Sequence, residues 1–212
     1  MGVPAVVAEY DPTWPEAFER LCDRLDAALT DVTHVTEHVG STAVRGLAAK
    51  PIIDVDVVVA DETAVGPAVK ALAAAGWQPE GDLGIKGREA FLPPADAPYH
   101  HLYLVVAGSR PHRDHIDLRD FLRMHPRHAA RYAALKRQLA VLLKTDRDAY
   151  VRGKHEMITE ILRMARGEDA SGDDSRQELP GLGPEQDILR FRLEVSCHHL
   201  DGGATDEPWI RR

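Results

Sequence analysis

The stretch His38-Val39-Gly40-Ser41-Thr42-Ala43-Val44-Arg45-Gly46-Leu47-Ala48-Ala49-Lys50-Pro51-Ile52-Ile53-Asp54-Val55-Asp56-Val57-Val58-Val59 decides the fold. It reads as a strand end, a tight turn, one short helix and then a buried strand. Gly40 lets the backbone turn sharply and lets a ligand come close. Ser41 or Thr42 caps the short helix, and the free N–H groups of that helix end suit a phosphate. Lys50-Pro51 opens an extended run. Ile52 to Val59 is nearly all β-branched, a composition that suits a strand covered on both faces. Asp54 and Asp56 interrupt the apolar run. Positions i and i+2 of a strand share a face, so both acids project to one side, about 7 Å apart. Two carboxylates in such a strand need compensation, and a divalent cation is the expected partner.

Outward from this stretch, Val32 to Val39 reads as the preceding strand. Before it, Thr13-Trp14-Pro15-Glu16 fits a capping box, with Thr13 as N-cap and Glu16 at N3. Phe18, Leu21, Cys22, Leu25 and Leu29 recur at helical spacing behind it. On the other side, Asp61 or Thr63 caps a helix reaching Ala75, with Gly76 past its end. Trp77 starts a short extended piece, and Gly81, Gly84 and Gly87 mark a loop. Arg88 to Leu92 and His100 to Ala107 read as two strands of a long-looped hairpin. The last third is helical: Asp114 to Arg123, a helix from Pro126 through Leu142 or Leu143, and a third that Asp146 caps, through Met164.

A chain of 212 residues with 44% hydrophobic and 28% charged residues holds one full domain with a sizeable core. The expected division is a domain over 1–166, with its sheet core at about 32–107 and helices at about 114–165. An acidic linker follows over 167–178, then a tail over 179–212. In that tail Leu189, Phe191, Leu193 and Val195 alternate with charged residues like one further strand. The net charge of −8 argues against a broad nucleic-acid surface. No signal-like or membrane-length apolar run is found, so a cytoplasmic protein without a membrane partner is expected. With only Cys22 and Cys197, no disulfide framework is indicated, and Cys22 reads as a buried free thiol.

The runs Val39-Gly-Ser-Thr-Ala-Val44 and Gly46-Leu-Ala-Ala-Lys-Pro-Ile-Ile-Asp54 resemble the GrpB family. So do Tyr10-Asp11-Pro12, Trp14-Pro15 and pieces around Arg119–Pro126, Tyr132, Lys136, Tyr150 and Lys154. The likeness runs from about Tyr10 to about Ile161. That family is similar to the nucleotidyltransferase superfamily of polymerase-β-like fold, whose signature is a Gly-Ser turn followed by Asp-x-Asp. The resemblance implies an α/β (α+β) fold: a mixed sheet of four or five strands as a nucleotidyltransferase-like core, with a C-terminal helical bundle packed on it. It also implies a metal-dependent nucleotidyltransferase acting on a nucleoside triphosphate and an acceptor that the sequence does not specify.

In that scheme Asp54 and Asp56 bind the metal, Mg2+ or Mn2+, and Gly40 and Ser41 hold phosphate. Lys50, Arg88, Lys136 and Lys154 steady the triphosphate, and Asp56 or His101 is the base. The bland alternative for Lys136 and Lys154 is a solvated helix face, and for Arg45 a merely exposed residue. The superfamily's third carboxylate has no counterpart in His100-His101-Leu102-Tyr103-Leu104-Val105-Val106, which leaves Glu89 as a fallback. Its absence favours a second reading, a non-catalytic nucleotide-binding or regulatory module. The family's likeness to a domain fused to dephospho-CoA kinase would tie that module to nucleotide or coenzyme A metabolism. A metal-dependent phosphohydrolase is a third. His112-x-x-His115 and His125-x-x-His128 have ligand-like spacing without cysteine or HExxH partners, so surface positions are expected, with one or two histidines facing the cleft.

Overall fold

The structure is a computed structural model and describes residues 6–168. Helix α1 (Trp14–Ala28) leads to β1 (His34–Val39), a 3-10 turn (Ser41–Ala43) and β2 (Ile53–Val59). Helix α2 (Glu62–Ala74) precedes β3 (Gln78–Gly81), β4 (Arg88–Leu92) and β5 (His100–Val106). Helices α3 (Arg110–Met124), α4 (Pro126–Leu139) and α5 (Arg147–Ala165) follow, with a 3-10 turn (Ala140–Lys144) before the last. The strands form one five-stranded sheet in the order β1-β2-β5-β4-β3. β2 and β5 run parallel and the other pairs antiparallel, so the sheet is mixed, as expected. The expected linker, apart from Gly167 and Glu168, and the tail with its Leu189–Val195 strand and Cys197 lie outside the described residues.

Strand alternation divides the sheet into two unlike faces. Val55, Val57 and Val59 join Leu102 and Leu104 of β5 on one side, under Leu21 and Leu25 of α1 and Leu72 of α2. The other face presents Asp54 and Asp56, with His101 and Tyr103 beside them in register on β5. The C-terminal helices cover this polar face. They have their own apolar seam, in which Leu122, Tyr132, Ala133, Ile158 and Ile161 meet Val44 and Leu47 of the turn region. The cleft predicted between the Asp54/Asp56 strand and these helices is therefore where the two layers meet.

Local signals placed most elements. Asp61 caps α2 by accepting the Thr63 N–H, and Asp146 caps α5 by accepting the Ala149 N–H. Asp146→Ala should cost about 1 kcal/mol in urea unfolding, the usual loss of an N-cap. Three expected caps are replaced. Ser41 and Thr42 lie inside the 3-10 turn, whose N-cap is Gly40 with no side-chain cap bond. The Thr13 N–H and hydroxyl both donate to Asp11 Oδ1, and Glu16 pairs with Arg20, so no capping box forms. Helix α3 begins at Arg110, not Asp114, because Pro111 suits a first helical turn. Asp114 lies one turn inside and pairs with Arg166. Cys22 is a free, half-buried thiol whose pKa burial pushes up to about 11.

Two histidines are built into the scaffold as neutral rings. His100 donates from Nδ1 to the Pro98 carbonyl (2.8 Å) and accepts at Nε2 from the Trp77 indole (3.1 Å). His38 stacks on Phe18 at 4.7 Å between centroids and meets the Thr42 hydroxyl at 3.0 Å. Burial lowers both pKa values to about 4. Unfolded histidine titrates near 6.5, so between pH 6.5 and 4 the unfolded chain binds more protons than the folded one. Stability should therefore fall as pH drops through that window, with an uptake approaching two protons, read from urea midpoints at successive pH values. A flat profile across the window would contradict the buried-neutral assignment.

Candidate functional site

Gly40 sits at φ +68° and ψ −166°, a conformation essentially confined to glycine. A β-carbon built there would lie 2.2 Å from Asp54 Oδ2. The turn thus presses its backbone onto the Asp54 carboxylate, and the following Ser41, Thr42 and Ala43 are all buried. Arg123 clamps the turn from α3, donating from Nε and Nη2 to the Ala43 carbonyl at 3.1 and 2.9 Å. Arg119 does the same for β1, reaching Glu37 and the His38 carbonyl.

Each strand carboxylate is taken by an imidazole. His101 Nδ1 donates to Asp54 Oδ1 at 2.7 Å, across the β2–β5 pair. His115, from α3, places Nδ1 at 2.9 and 2.8 Å from the two oxygens of Asp56, whose side chain is fully buried. Burial opposes a charge on His115, but the Asp56 charge and hydrogen bond outweigh it and raise its pKa. For His115 the sequence offers one signal, the His112-x-x-His115 spacing. His112 instead accepts the Gly108 N–H, and His125 stacks on Phe121.

Both helical lysines point inward, against the solvated-face alternative. Lys136 and Lys154 are each 1% exposed and Lys50 is 8% exposed. Lys136 donates to the Ser41 hydroxyl at 2.9 Å. Aromatic faces receive the ammonium groups: Tyr132 lies 4.4 Å from Lys136, and Tyr150 lies 4.6 Å from Lys154 and 5.7 Å from Lys50. Burial lowers the Lys136 pKa to about 7, with Arg137 and Lys50 adding to the effect and Asp54 opposing it. The Lys154 pKa is also lowered, again by burial first, then by Lys50 and Lys136.

Asp54 stands between two small cavities. One, of about 40 Å³, is lined by Gly40, Asp54, Tyr103, His115 and Lys154. The other, of about 20 Å³, is lined by Ser41, Lys50, Asp54, His101, Lys136 and Tyr150. The structure thus brings Gly40, Ser41, Lys50, Asp54, His101, Lys136 and Lys154 together. Asp56 backs the site through His115. Arg88 lines neither cavity; it lies over the Tyr103 ring at 4.6 Å and donates from Nη2 to the Asp82 carbonyl. Glu89 is in register with Leu104 and so occupies the opposite face of the sheet from Asp54 and Asp56. It is not the missing acid. A far larger groove, about 1290 Å³, lies outside the turn and is lined by Phe18, His38, Arg45 and Arg123, with none of the expected site residues.

The fit of a divalent cation follows from these contacts. Mg2+ takes oxygen ligands in near-octahedral array. Here one oxygen of Asp54 and both of Asp56 already receive imidazole N–H groups, and Glu37 of the same face is held by Arg119. Among the described residues no three His, Cys, Asp or Glu side chains converge as a metal site. The arrangement as it stands does not fit Mg2+.

The family described as GrpB protein matches residues 4–164. UPF0157 protein YqkA of Bacillus subtilis is 35% identical over 149 residues, 70% of this chain and 43% of its own. UPF0157 protein PA4798 of Pseudomonas aeruginosa is 36% identical over 166 residues, 75% of this chain and 66% of its own. The chain therefore spans less than two thirds of the length of either relative. The crystal structure of conserved protein GrpB from Enterococcus faecalis superposes with a TM-score of 0.68 at 32% identity, covering 77% of this chain and 98% of that one. Among the described residues no helix is long and apolar enough to cross a membrane.

Proposed function

The chain belongs to the GrpB protein family, and from its geometry we propose that it binds the phosphates of a nucleoside triphosphate beside the Gly40–Ser41 turn. One observation carries this reading: three lysines from separate parts of the chain, Lys50, Lys136 and Lys154, are buried beside Asp54. Gathering like charges in a low-dielectric site is costly. An arriving polyanion reverses the sign of that cost. Lys50, Lys136 and Lys154 then contact phosphate oxygens, and the Ser41 hydroxyl adds a neutral donor. The cavities admit water-sized groups only, whereas ligand pockets run to several hundred Å³. Binding therefore requires α5, which carries Lys154 and Tyr150, to move off the sheet face.

The test is titration calorimetry with ATP, GTP, CTP, UTP and tripolyphosphate, accompanied by hydrogen exchange over α5. Saturable binding that Lys136→Met weakens by about tenfold or more, while Arg45→Ala leaves it unchanged, supports the site. Arg45 is exposed and lines only the outer groove. No binding of any of the five by folded protein would remove the proposal. The Lys136 pKa of about 7 adds a sign. An anion favours the ammonium form, so affinity should fall as pH rises from 7 to 9. At pH 8 binding should take up protons, seen as a difference in heat between Tris and HEPES buffers.

The finer reading, metal-dependent nucleotidyl transfer to an acceptor, rests on Asp54 and Asp56 sharing one face. It is less well supported than the binding module, because both carboxylates are already paired with histidines and Glu89 faces away.

A further inference from the structure

The lysine cluster and the paired carboxylates together say how the phosphate charge is met. A triphosphate brings about four negative charges, and transferases offset them with divalent cations held by carboxylates. In this chain the carboxylates have other partners. Asp56 spends both oxygens on His115 Nδ1, at 2.9 and 2.8 Å. Asp54 gives Oδ1 to His101 Nδ1 at 2.7 Å, and its Oδ2 lies so close to Gly40 that a β-carbon would come within 2.2 Å. A cation approaching Asp54 from the α5 side would share a cavity of about 40 Å³ with Lys154, and the one other carboxylate lining that cavity, Asp114, is held by Arg166. On the other side, Lys50 and Lys136 line the second cavity with Asp54. Lysine side chains thus line both flanks of the carboxylate.

Resting on the phosphate-binding reading above, we infer that the ligand is taken as the metal-free triphosphate anion, with Lys50, Lys136 and Lys154 supplying the charge that a divalent cation supplies elsewhere. Asp54 and Asp56 are then positioning residues. Asp54 orients His101 and offsets part of the lysine charge, and Asp56 anchors His115 and with it α3. The inference reverses the sign of a standard expectation. An aspartate that ligates a metal helps bind the nucleotide, whereas an aspartate beside a bare polyanion repels it.

The first arm titrates ATP and tripolyphosphate into wild-type protein, once in EDTA and once in excess Mg2+. Affinity in EDTA should equal or exceed that in Mg2+, because chelation removes charge that the lysines would meet. Binding seen only with Mg2+ or Mn2+ would overturn the inference and leave the phosphate-binding reading standing. Absence of binding in both conditions would overturn the reading itself. The second arm adds Mn2+ alone and follows water-proton relaxation, where saturable Mn2+ binding that Asp54→Asn abolishes would also overturn the inference. The third arm repeats the EDTA titration with Asp54→Asn, checked for folding by circular dichroism. Affinity should rise by about threefold or more as the repelling charge is lost; a fall of that size in folded protein counts against it.

Discussion

Replacing Gly40 by alanine is expected to lower folding stability by about 2–5 kcal/mol, combining a backbone term with an overpacking term. The backbone term arises because φ +68° with ψ −166° is a region that a β-carbon makes costly. The packing term is the larger. The new β-carbon would lie 2.2, 2.8 and 2.9 Å from Oδ2, Cγ and Cβ of Asp54. Asp54 cannot swing aside cheaply, since His101 holds its other oxygen at 2.7 Å in a buried pair. Gly46→Ala is the control. Its φ is +80°, but nothing lies within 4 Å of the added carbon, so it should lose only the backbone term, about 1 kcal/mol. Guanidinium unfolding of the three proteins measures both terms. If Gly40→Ala cost no more than Gly46→Ala, the close approach of the turn to Asp54 would not be a feature of the folded protein.

Lys154→Met is expected to raise stability by about 1–3 kcal/mol and to weaken triphosphate binding by about a hundredfold. Methionine matches the length and flexibility of the lysine stem and fills the same space between α5 and the sheet. What disappears is an ammonium group that burial and the Lys50 and Lys136 charges already disfavour. The ring contact with Tyr150 at 4.6 Å is lost too, a loss of about 0.5–1 kcal/mol that the relief outweighs. Opposite signs for stability and binding are the mark of a residue retained for its ligand. A structural lysine would show the reverse: Lys154→Met would destabilise the fold by several kcal/mol and change no ligand affinity. Thermal and urea unfolding, with calorimetry on the same preparations, separate the two.

Much of the fold is legible in short segments. The Ile52–Val59 run announces a strand with two acids on one face, and β2 is found at Ile53–Val59. Asp61, Pro126 and Asp146 mark helix starts because caps and first-turn prolines act within three or four residues. The same locality explains the errors. Asp11 outcompeted Glu16 for the Thr13 region, a choice between two nearby acceptors that pattern alone does not rank. Asp114 looks like a cap, but Pro111 lets the helix begin a turn earlier.

Strand and helix order, the side-by-side placement of Asp54 and Asp56, the glycine turn before them and the family can all be read from the chain alone. These follow from backbone sterics, periodicity and local hydrogen bonding, which operate over a few residues. What those acids face depends on long-range packing. The β4–β5 register turned Glu89 to the wrong side of the sheet, since a strand's parity relative to its neighbour is set by pairing and not by its own composition. Packing of α3 brought His115 to Asp56 across 59 positions. Packing of α4 brought Lys136 to Ser41 across 95. Whether a helical lysine is solvated or buried depends on which helix face the sheet covers, and that is settled when the layers close.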